Sequence, residues 1–263
     1  MTSDGTATGP VPLSTEALTI AAGTRVLVHE LSLSLQSGEF LAILGRNGCG
    51  KSLTLHALAG LAAPHAGRVL LHGADLRTLS RRQIARELGL LPQDREESLA
   101  MTALESVMIG RHPHLQFWQR EGAQDVAIAH SALERFGLAQ CATRLVTTLS
   151  GGEQRRAAMA ALLAQRPQIY LLDEPSNHLD PHHQIEILTL FRDLCGQGAS
   201  IIATLHDPTL AERFADRALL LYGDGRHRLG PAAEVLNCDT LSALYLTPMQ
   251  ALGSAPRRAF IPA

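Results

Sequence analysis

Apolar residues recur along this chain with two spacings, and the change from one to the other divides it. Near the N-terminus, residues 17–20 and 26–28 form short apolar-rich runs that predict strands. Leu31-Ser32-Leu33-Ser34-Leu35 alternates strictly, the two-residue period of a half-buried strand, and Ser37-Gly38 supplies a turn. Phe40-Leu41-Ala42-Ile43-Leu44 is apolar throughout, which predicts a fully buried strand. Residues 67–71 predict a further strand, residues 80–88 a helix, and residues 88–93 a strand ending in the polar Gln93. From residue 94 to about 149 the strand pattern stops, while residues 101–109 and 125–136 carry helical spacing. Residues 153–165 are strongly helix-favouring.

The strand pattern then returns. Residues 168–173 are a continuous apolar run ending in Asp173, as in a parallel strand covered on both faces. Residues 184–195 predict an amphipathic helix stopped by Gly196, and residues 200–205 a buried strand ending at His206. Residues 218–222 run into Gly223-Asp224-Gly225, a hairpin signal. Residues 236–246 predict a last helix. The first sixteen residues are mostly Thr, Ser, Gly and Pro and predict a loose leader without the basic start and apolar block of a signal peptide. Residues 251–263 carry few core residues and are expected to fray. No run of about eighteen apolar residues is present, so nothing in the pattern spans a bilayer.

Between the apolar run at residues 40–44 and the helix-prone stretch from Leu53 stands Gly45-Arg46-Asn47-Gly48-Cys49-Gly50-Lys51-Ser52. It reads G-x-x-x-x-G-K-S, a phosphate-binding loop in its required strand–loop–helix context. Glycines let backbone N–H groups turn inward as an anion nest, and the helix starting near Lys51 adds the positive end of its dipole. Lys51 supplies a mobile positive charge for terminal phosphates, and the Ser52 hydroxyl a ligand for Mg²⁺.

Polar residues also close the buried strands: Gln93, Asp173 with Glu174, and His206. In open parallel sheets ligands collect at that edge. Asp173 stands where the second acid of a phosphate-loop site holds Mg²⁺ or orients its waters. Glu174 beside it is placed to polarise an attacking water as general base. Leu149-Ser150-Gly151-Gly152-Glu153 is a capping box at the start of a helix. Its glycines expose N–H groups and make a second anion site. Without a lysine or a metal-holding acid, that site closes over a phosphate held elsewhere.

Composition narrows the picture. The chain has 263 residues, enough for one or two domains, with 46% hydrophobic and 18% charged residues. A formal net charge of −2 gives no electrostatic case for nucleic acid. The four cysteines have no C-x-x-C spacing and suggest neither a metal cage nor a disulfide framework. Cys49 lies inside the phosphate loop, which implies a reduced thiol and a cytosolic setting.

Taken in order, the phosphate loop, Gln93, LSGGE at residues 149–153, LLDEP at residues 171–175, Ser176-Asn177-His178-Leu179-Asp180 and His206 resemble the ATPase subunits of ABC transporters. The resemblance covers residues 17–246. It implies an α/β phosphate-loop NTPase core, a mixed sheet flanked by helices, with an N-terminal antiparallel β region and an inserted α-helical subdomain. The core would take residues 17–93 and 166–250, the helical and signature subdomain residues 94–165, the leader residues 1–16 and the tail residues 251–263.

The resemblance also implies roles. ATP would be bound by Gly45, Arg46, Asn47, Gly48, Cys49, Gly50, Lys51 and Ser52 of one copy, and by Ser150, Gly151 and Gly152 of the other, in a head-to-tail homodimer. Asp180 resembles the acid at the dimer seam, and His206 the switch histidine that contacts the γ-phosphate. Gln93 resembles the glutamine that touches the metal or its water and relays to the membrane subunit. Mg²⁺ would be held by Ser52, Gln93 and Asp173, and turnover carried by Glu174, His206 and Gln93. The implied partners are integral-membrane permease subunits and, indirectly, a substrate-binding protein; the implied location is the cytoplasmic face of the membrane.

Ile109-Gly110-Arg111-His112-Pro113-His114 resembles a stretch of the ATPases serving iron-siderophore, haem and cobalamin importers, which makes uptake of a metal chelate the expected task. The alternatives are an importer for another substrate, a soluble non-transport ABC ATPase, or a nucleotide-gated scaffold. The scaffold is disfavoured by Glu174 and His206 both being present. A soluble protein of this family acting on ribosomes or DNA usually fuses two ATPase units or carries a long coiled coil, and neither is seen. His112 and His114 read better as loop residues than as metal ligands.

One departure from the family pattern stands out: residues 21–25 lack the aromatic residue that stacks on adenine in many relatives. Base stacking contributes about 1–3 kcal/mol. Either Arg25 takes its place, or the base is held loosely and ATP is poorly distinguished from GTP.

Overall fold

A computed structural model describes residues 11–93, 100–116, 118–177, 179–254 and 258–263. The chain opens with β1 (Leu13–Ala22), β2 (Arg25–Leu31) and β3 (Ser34–Leu35), then enters β4 (Phe40–Gly45) and α1 (Lys51–Leu58). β5 (Ala66–Leu71) and β6 (Ala74–Asp75) return to the first sheet, and α2 (Arg81–Glu87) leads to β7 (Leu88–Leu91). α3 (Ala103–Met108), α4 (Ala123–Arg135) and α5 (Gly151–Gln165) form the helical part. There follow β8 (Ile169–Leu172), α6 (Pro181–Gly196), β9 (Ser200–Thr204), α7 (Pro208–Phe214), β10 (Arg217–Leu221) and β11 (His227–Pro231). α8 (Ala232–Val235), α9 (Cys238–Tyr245), β12 (Met249–Leu252) and β13 (Ala259–Pro262) end the chain.

The central sheet has the order β11-β10-β4-β9-β8-β7. Its strands from β10 to β7 are parallel, and β11 adds an antiparallel edge. β1, β2, β3, β5 and β6 make a separate antiparallel sheet. The apolar runs explain why the central strands are covered twice. Phe40, Ala42, Leu44, Tyr170, Leu172, Ile201 and Ala203 face one cluster with α5 and α6. Leu41, Ile43, Ile169, Leu171 and Ile202 face a second cluster with α1 and the antiparallel sheet. Burying each of the Leu, Ile and Phe side chains among them contributes about 1.5–3 kcal/mol before entropy is counted.

Several boundaries move from their expected places. Residues 1–10 of the expected leader lie outside the described residues, but residues 13–16 belong to β1, where Leu13 is fully buried and pairs with Leu71 and Leu35. Leu13 alone is too short a signal for a strand. The alternating run at residues 31–35 is broken rather than continuous. The Thr15 hydroxyl donates to the Leu31 carbonyl at 2.8 Å and accepts from the Leu33 N–H at 2.9 Å, so a side chain fills the gap in the ladder. The expected last helix over residues 236–246 is α9, which starts at Cys238 because the Asn237 side chain accepts the Thr240 N–H; the short α8 before it has no counterpart in the apolar pattern. The expected frayed tail is instead the β12–β13 hairpin, with Phe260 buried and Arg258 forked onto the buried Glu212 at 2.7 and 3.0 Å. α7 has no counterpart in the apolar pattern.

The stretch at residues 110–114 is a clasp. The Pro113 carbonyl accepts from Arg82 and Arg86 of α2 at 3.0 and 2.9 Å, and a His114 ring nitrogen meets the Gln165 carbonyl at 2.7 Å. Arg111, buried, donates to Asp125 and to the Ala164 carbonyl. The two histidines belong to no metal-holding cluster among the described residues.

Candidate functional site: a phosphate loop and a carboxylate pair on one sheet edge

Because β9 lies between β4 and β8, and β7 flanks β8, the loops leaving these parallel strands share one edge. They carry the phosphate loop, His206, the pair Asp173 and Glu174, and Gln93.

In the phosphate loop Arg46, Asn47 and Gly48 are exposed, while Cys49, Gly50 and Lys51 are buried and Ser52 is half-buried. Gly50 caps α1 at φ 104, in the left-handed region that glycine adopts without strain. A Cβ on Gly45 would stand 2.6 Å from the Leu221 carbonyl oxygen, so the loop can only start with glycine. No acid sits in the first turn of α1, which leaves the positive end of its dipole unopposed. Lys51, 5% exposed, donates to the Gly45 carbonyl at 2.9 Å and to that of Arg46 at 3.4 Å. Burial pushes the Cys49 thiol above its ordinary pKa, with Lys51 pulling the other way.

Asp173 is 1% exposed. Its Oδ1 accepts from the Thr204 hydroxyl at 2.7 Å, whereas its buried Oδ2 has no hydrogen-bond partner among the described residues. A buried carboxylate oxygen left unpaired is costly, and a cation or its bound water relieves it. Ser52, Asp173 and Gln93 offer only oxygen ligands, the donor set of a hard divalent cation, so this edge fits Mg²⁺.

Glu174 follows with φ 49, a left-handed conformation rare for a non-glycine residue. Its N–H donates to the Thr204 hydroxyl at 2.8 Å. Its carboxylate is gripped from two sides, by His206 Nε2 at 2.5 Å from Oε1 and by the Asn177 amide on Oε2. The His206 carbonyl is in turn held by the Tyr245 hydroxyl at 3.1 Å.

Thr204 therefore serves both acids from a neighbouring strand. Thr204→Val keeps the shape but strands the Asp173 Oδ1 and the Glu174 N–H. The substitution is expected to lower the unfolding free energy by about 2 kcal/mol. Denaturant unfolding checks this, and Thr204→Ser should retain most of the stability.

Ser150 caps α5 as expected. Its N–H donates to Glu153 at 2.7 Å and its hydroxyl accepts the Glu153 N–H at 3.3 Å. The Ser150 N–H also holds the Glu153 carboxyl below its usual pKa. Ser150 and Gly151 are exposed, Gly152 half-buried, and the hydrogen bonds of Ser150 stay within its own cap. Asp180 is the exposed cap of α6. It accepts from the His183 N–H at 3.0 Å and meets the His183 ring at 2.8 Å; the backbone bond leads in lowering its pKa. His178, within the same motif, lies outside the described residues.

Gln93 is exposed at the end of β7, and its carbonyl accepts from Arg155 at 3.1 Å. Arg25 donates to the Gly223 carbonyl at 2.7 Å, in a turn that packs on Cys49 of the phosphate loop. The guanidinium thus lies beside the loop. Thr204 and Arg155 escaped the sequence reading, and Asn177 entered it only as part of the motif at residues 176–180, with no role of its own. Asn177 left one signal, its place three residues after Glu174.

Comparison with known proteins identifies the family. A family profile described as ABC transporter matches residues 28–177. The chain is 38% identical over 234 residues to the iron(3+)-hydroxamate import ATP-binding protein FhuC of Bacillus subtilis, covering 89% of this chain and 87% of the relative. It is 42% identical over 236 residues to the hemin import ATP-binding protein HmuV of Deinococcus radiodurans, covering 88% and 85%. It is also 40% identical over 226 residues to the cobalamin import ATP-binding protein BtuD of Halobacterium salinarum, covering 85% of this chain but only 56% of that relative. Among solved structures, an inward-facing conformation assigned to a metal-chelate type ABC transporter superposes with a TM-score of 0.82 at 29% identity, covering 96% of this chain and 97% of that one. The dimeric structure of MJ0796, a bacterial ABC transporter cassette, gives a TM-score of 0.75 at 26% identity, covering 84% and 98%. With its phosphate loop, paired acids and capped signature helix on this fold, the chain belongs to the ABC transporter family.

Proposed function

We propose that this chain is the ATP-hydrolysing subunit of an importer that takes up a metal chelate, an iron-siderophore, haem or cobalamin, through membrane permease subunits. The observation that carries the catalytic half is Glu174. Its carboxylate is fixed between His206 and Asn177, one residue from the buried Asp173 and on the edge that bears the phosphate loop. The import half rests on the relatives, whose names span all three chelates.

In this reading, backbone N–H groups of residues 45–52 cradle the phosphates of ATP and Lys51 swings from its carbonyls onto the terminal ones. Ser52, Asp173 and Gln93 would hold Mg²⁺, which would supply positive charge to offset the negative charge of the phosphates. Glu174 accepts the proton of the attacking water, and His206 fixes that carboxylate and reaches the γ-phosphate. Ser150, Gly151 and Gly152 of a second copy close over the same phosphates, with Asp180 at the seam. Losing the γ-phosphate removes the contacts from both sides and reopens the dimer. No described helix is long and apolar enough to cross a membrane. We place the subunit on the cytoplasmic face of the membrane, docked on its permease, with a substrate-binding protein acting from the far side.

The test is reconstitution of the chain with its co-purifying permease in liposomes. Hydrolysis is expected to rise when a binding protein loaded with one of the three chelates is added. Stimulation by none of them, in a complex that still hydrolyses ATP, overturns the assignment to metal-chelate import.

A further inference from the structure

Arg155 lies in the second turn of α5 and reaches the sheet edge. One terminal nitrogen of its guanidinium donates to the carbonyls of Pro92 at 2.5 Å and Gln93 at 3.1 Å. The other donates to those of Asp173 at 2.5 Å and Glu174 at 3.0 Å. The two carbonyls in each pair flank one Cα atom. Pro92 and Gln93 carry the peptide planes on either side of the Gln93 Cα, and Asp173 and Glu174 those on either side of the Glu174 Cα. A single planar fork therefore sets the backbone of both residues. At Glu174 this matters most, since its φ of 49 is a conformation that persists only where surrounding contacts over-determine it. Thr204 fixes the N–H of Glu174, and Arg155 fixes the carbonyls before and after it. Together these bonds decide where the Glu174 side chain points.

We propose that Arg155 is the positioning residue of the hydrolytic site, which aims the Glu174 carboxylate and ties it to Gln93 and to the helix that begins at Ser150. The proposal rests on the reading of Glu174 as the base. Any displacement of α5 or of the Gln93 turn then moves Glu174 with it, through one rigid group. The chemistry demands arginine. The two terminal nitrogens carry four N–H groups in one plane, matching four carbonyls, whereas a lysine ammonium offers three donors from one point and a glutamine amide two.

The experiment measures steady-state ATP hydrolysis by the full-length protein carrying Arg155→Ala and Arg155→Lys. Arg155→Ala is expected to lower kcat by about tenfold or more while the KM for ATP changes by less than about twofold, since the phosphate loop is untouched. Arg155→Lys should recover only part of that loss. Added methylguanidinium should raise kcat in Arg155→Ala and leave the parent protein unaffected, a response that loss of packing does not produce. Unchanged kcat overturns the proposal. So does a kcat loss that follows the folded fraction in thermal melts and is not rescued. If Arg155→Ala does not fold, the same selective loss of kcat in Arg155→Lys decides the matter. Glu174→Gln is assayed in parallel. Should it keep turnover, the base assignment fails; should it lose turnover while Arg155 variants keep theirs, only the positioning role fails.

Discussion

Glu174→Gln is expected to lower ATP turnover by about a thousandfold while leaving ATP binding intact, within the span typical of losing a general base. The substitution is close to isosteric, and the site accepts an amide with little rearrangement. The Asn177 amide can still donate to the new side-chain oxygen. The new NH₂ group then faces His206 Nε2, which accepts in its other tautomer. Packing and the phosphate loop are unchanged, so affinity is kept. What is lost is the capacity to take a proton from water. If hydrolysis is what reopens the dimer, the variant accumulates as a closed, ATP-loaded pair. Size-exclusion chromatography with and without ATP reads this directly, and phosphate release reads the turnover. Turnover within a few-fold of the parent protein would remove Glu174 from the role of base.

Lys51→Ala is expected to act earlier, on binding itself. The ammonium is buried and satisfied by two loop carbonyls, so it is preplaced at the phosphate loop on a flexible stem. A hydrogen bond to a charged group contributes about 1.5–3 kcal/mol, which corresponds to a roughly ten- to hundredfold rise in Kd for ATP. Turnover should fall with it. Calorimetric titration with a non-hydrolysable ATP analogue measures the change. The contrast between the two variants is informative, because one loses chemistry with binding kept and the other loses both. Unchanged affinity in Lys51→Ala would contradict the phosphate-loop reading.

The parts legible in the sequence are local. The phosphate loop works through consecutive backbone N–H groups and the helix they begin, so eight contiguous residues and their flanks suffice to recognise it. The Ser150 cap likewise closes on a residue three positions away. The doubly buried strands announce themselves because both faces need apolar residues. Errors fell where the pattern was short or a side chain intervened. Leu13 alone could not announce the start of β1, and Thr15 broke a run that looked continuous. Asp207-Pro208 at the start of α7 is a cap followed by proline, a start signal present but too brief beside the strand pattern around it. The terminal hairpin owes its place to Phe260 and to the fork of Arg258 on Glu212, contacts with distant helices that no local pattern encodes.

By itself the sequence determined that a phosphate-loop motif, a pair of acids at a strand end, a polar strand terminus at Gln93 and a histidine closing another strand exist in this chain, since each is written in neighbouring residues. Tertiary structure alone decided how they are held. Thr204 serves both acids from 30 and 31 residues away, and Arg155 spans 63 residues to Pro92 and 18 to Asp173. Those bonds depend on β9 lying between β4 and β8 and on α5 packing over the edge of β7 and β8, and strand order in a parallel sheet does not follow sequence order. Periodicity records which face of a strand is buried but not which strand lies beside it, and at this edge it is the neighbouring strand that supplies the partner.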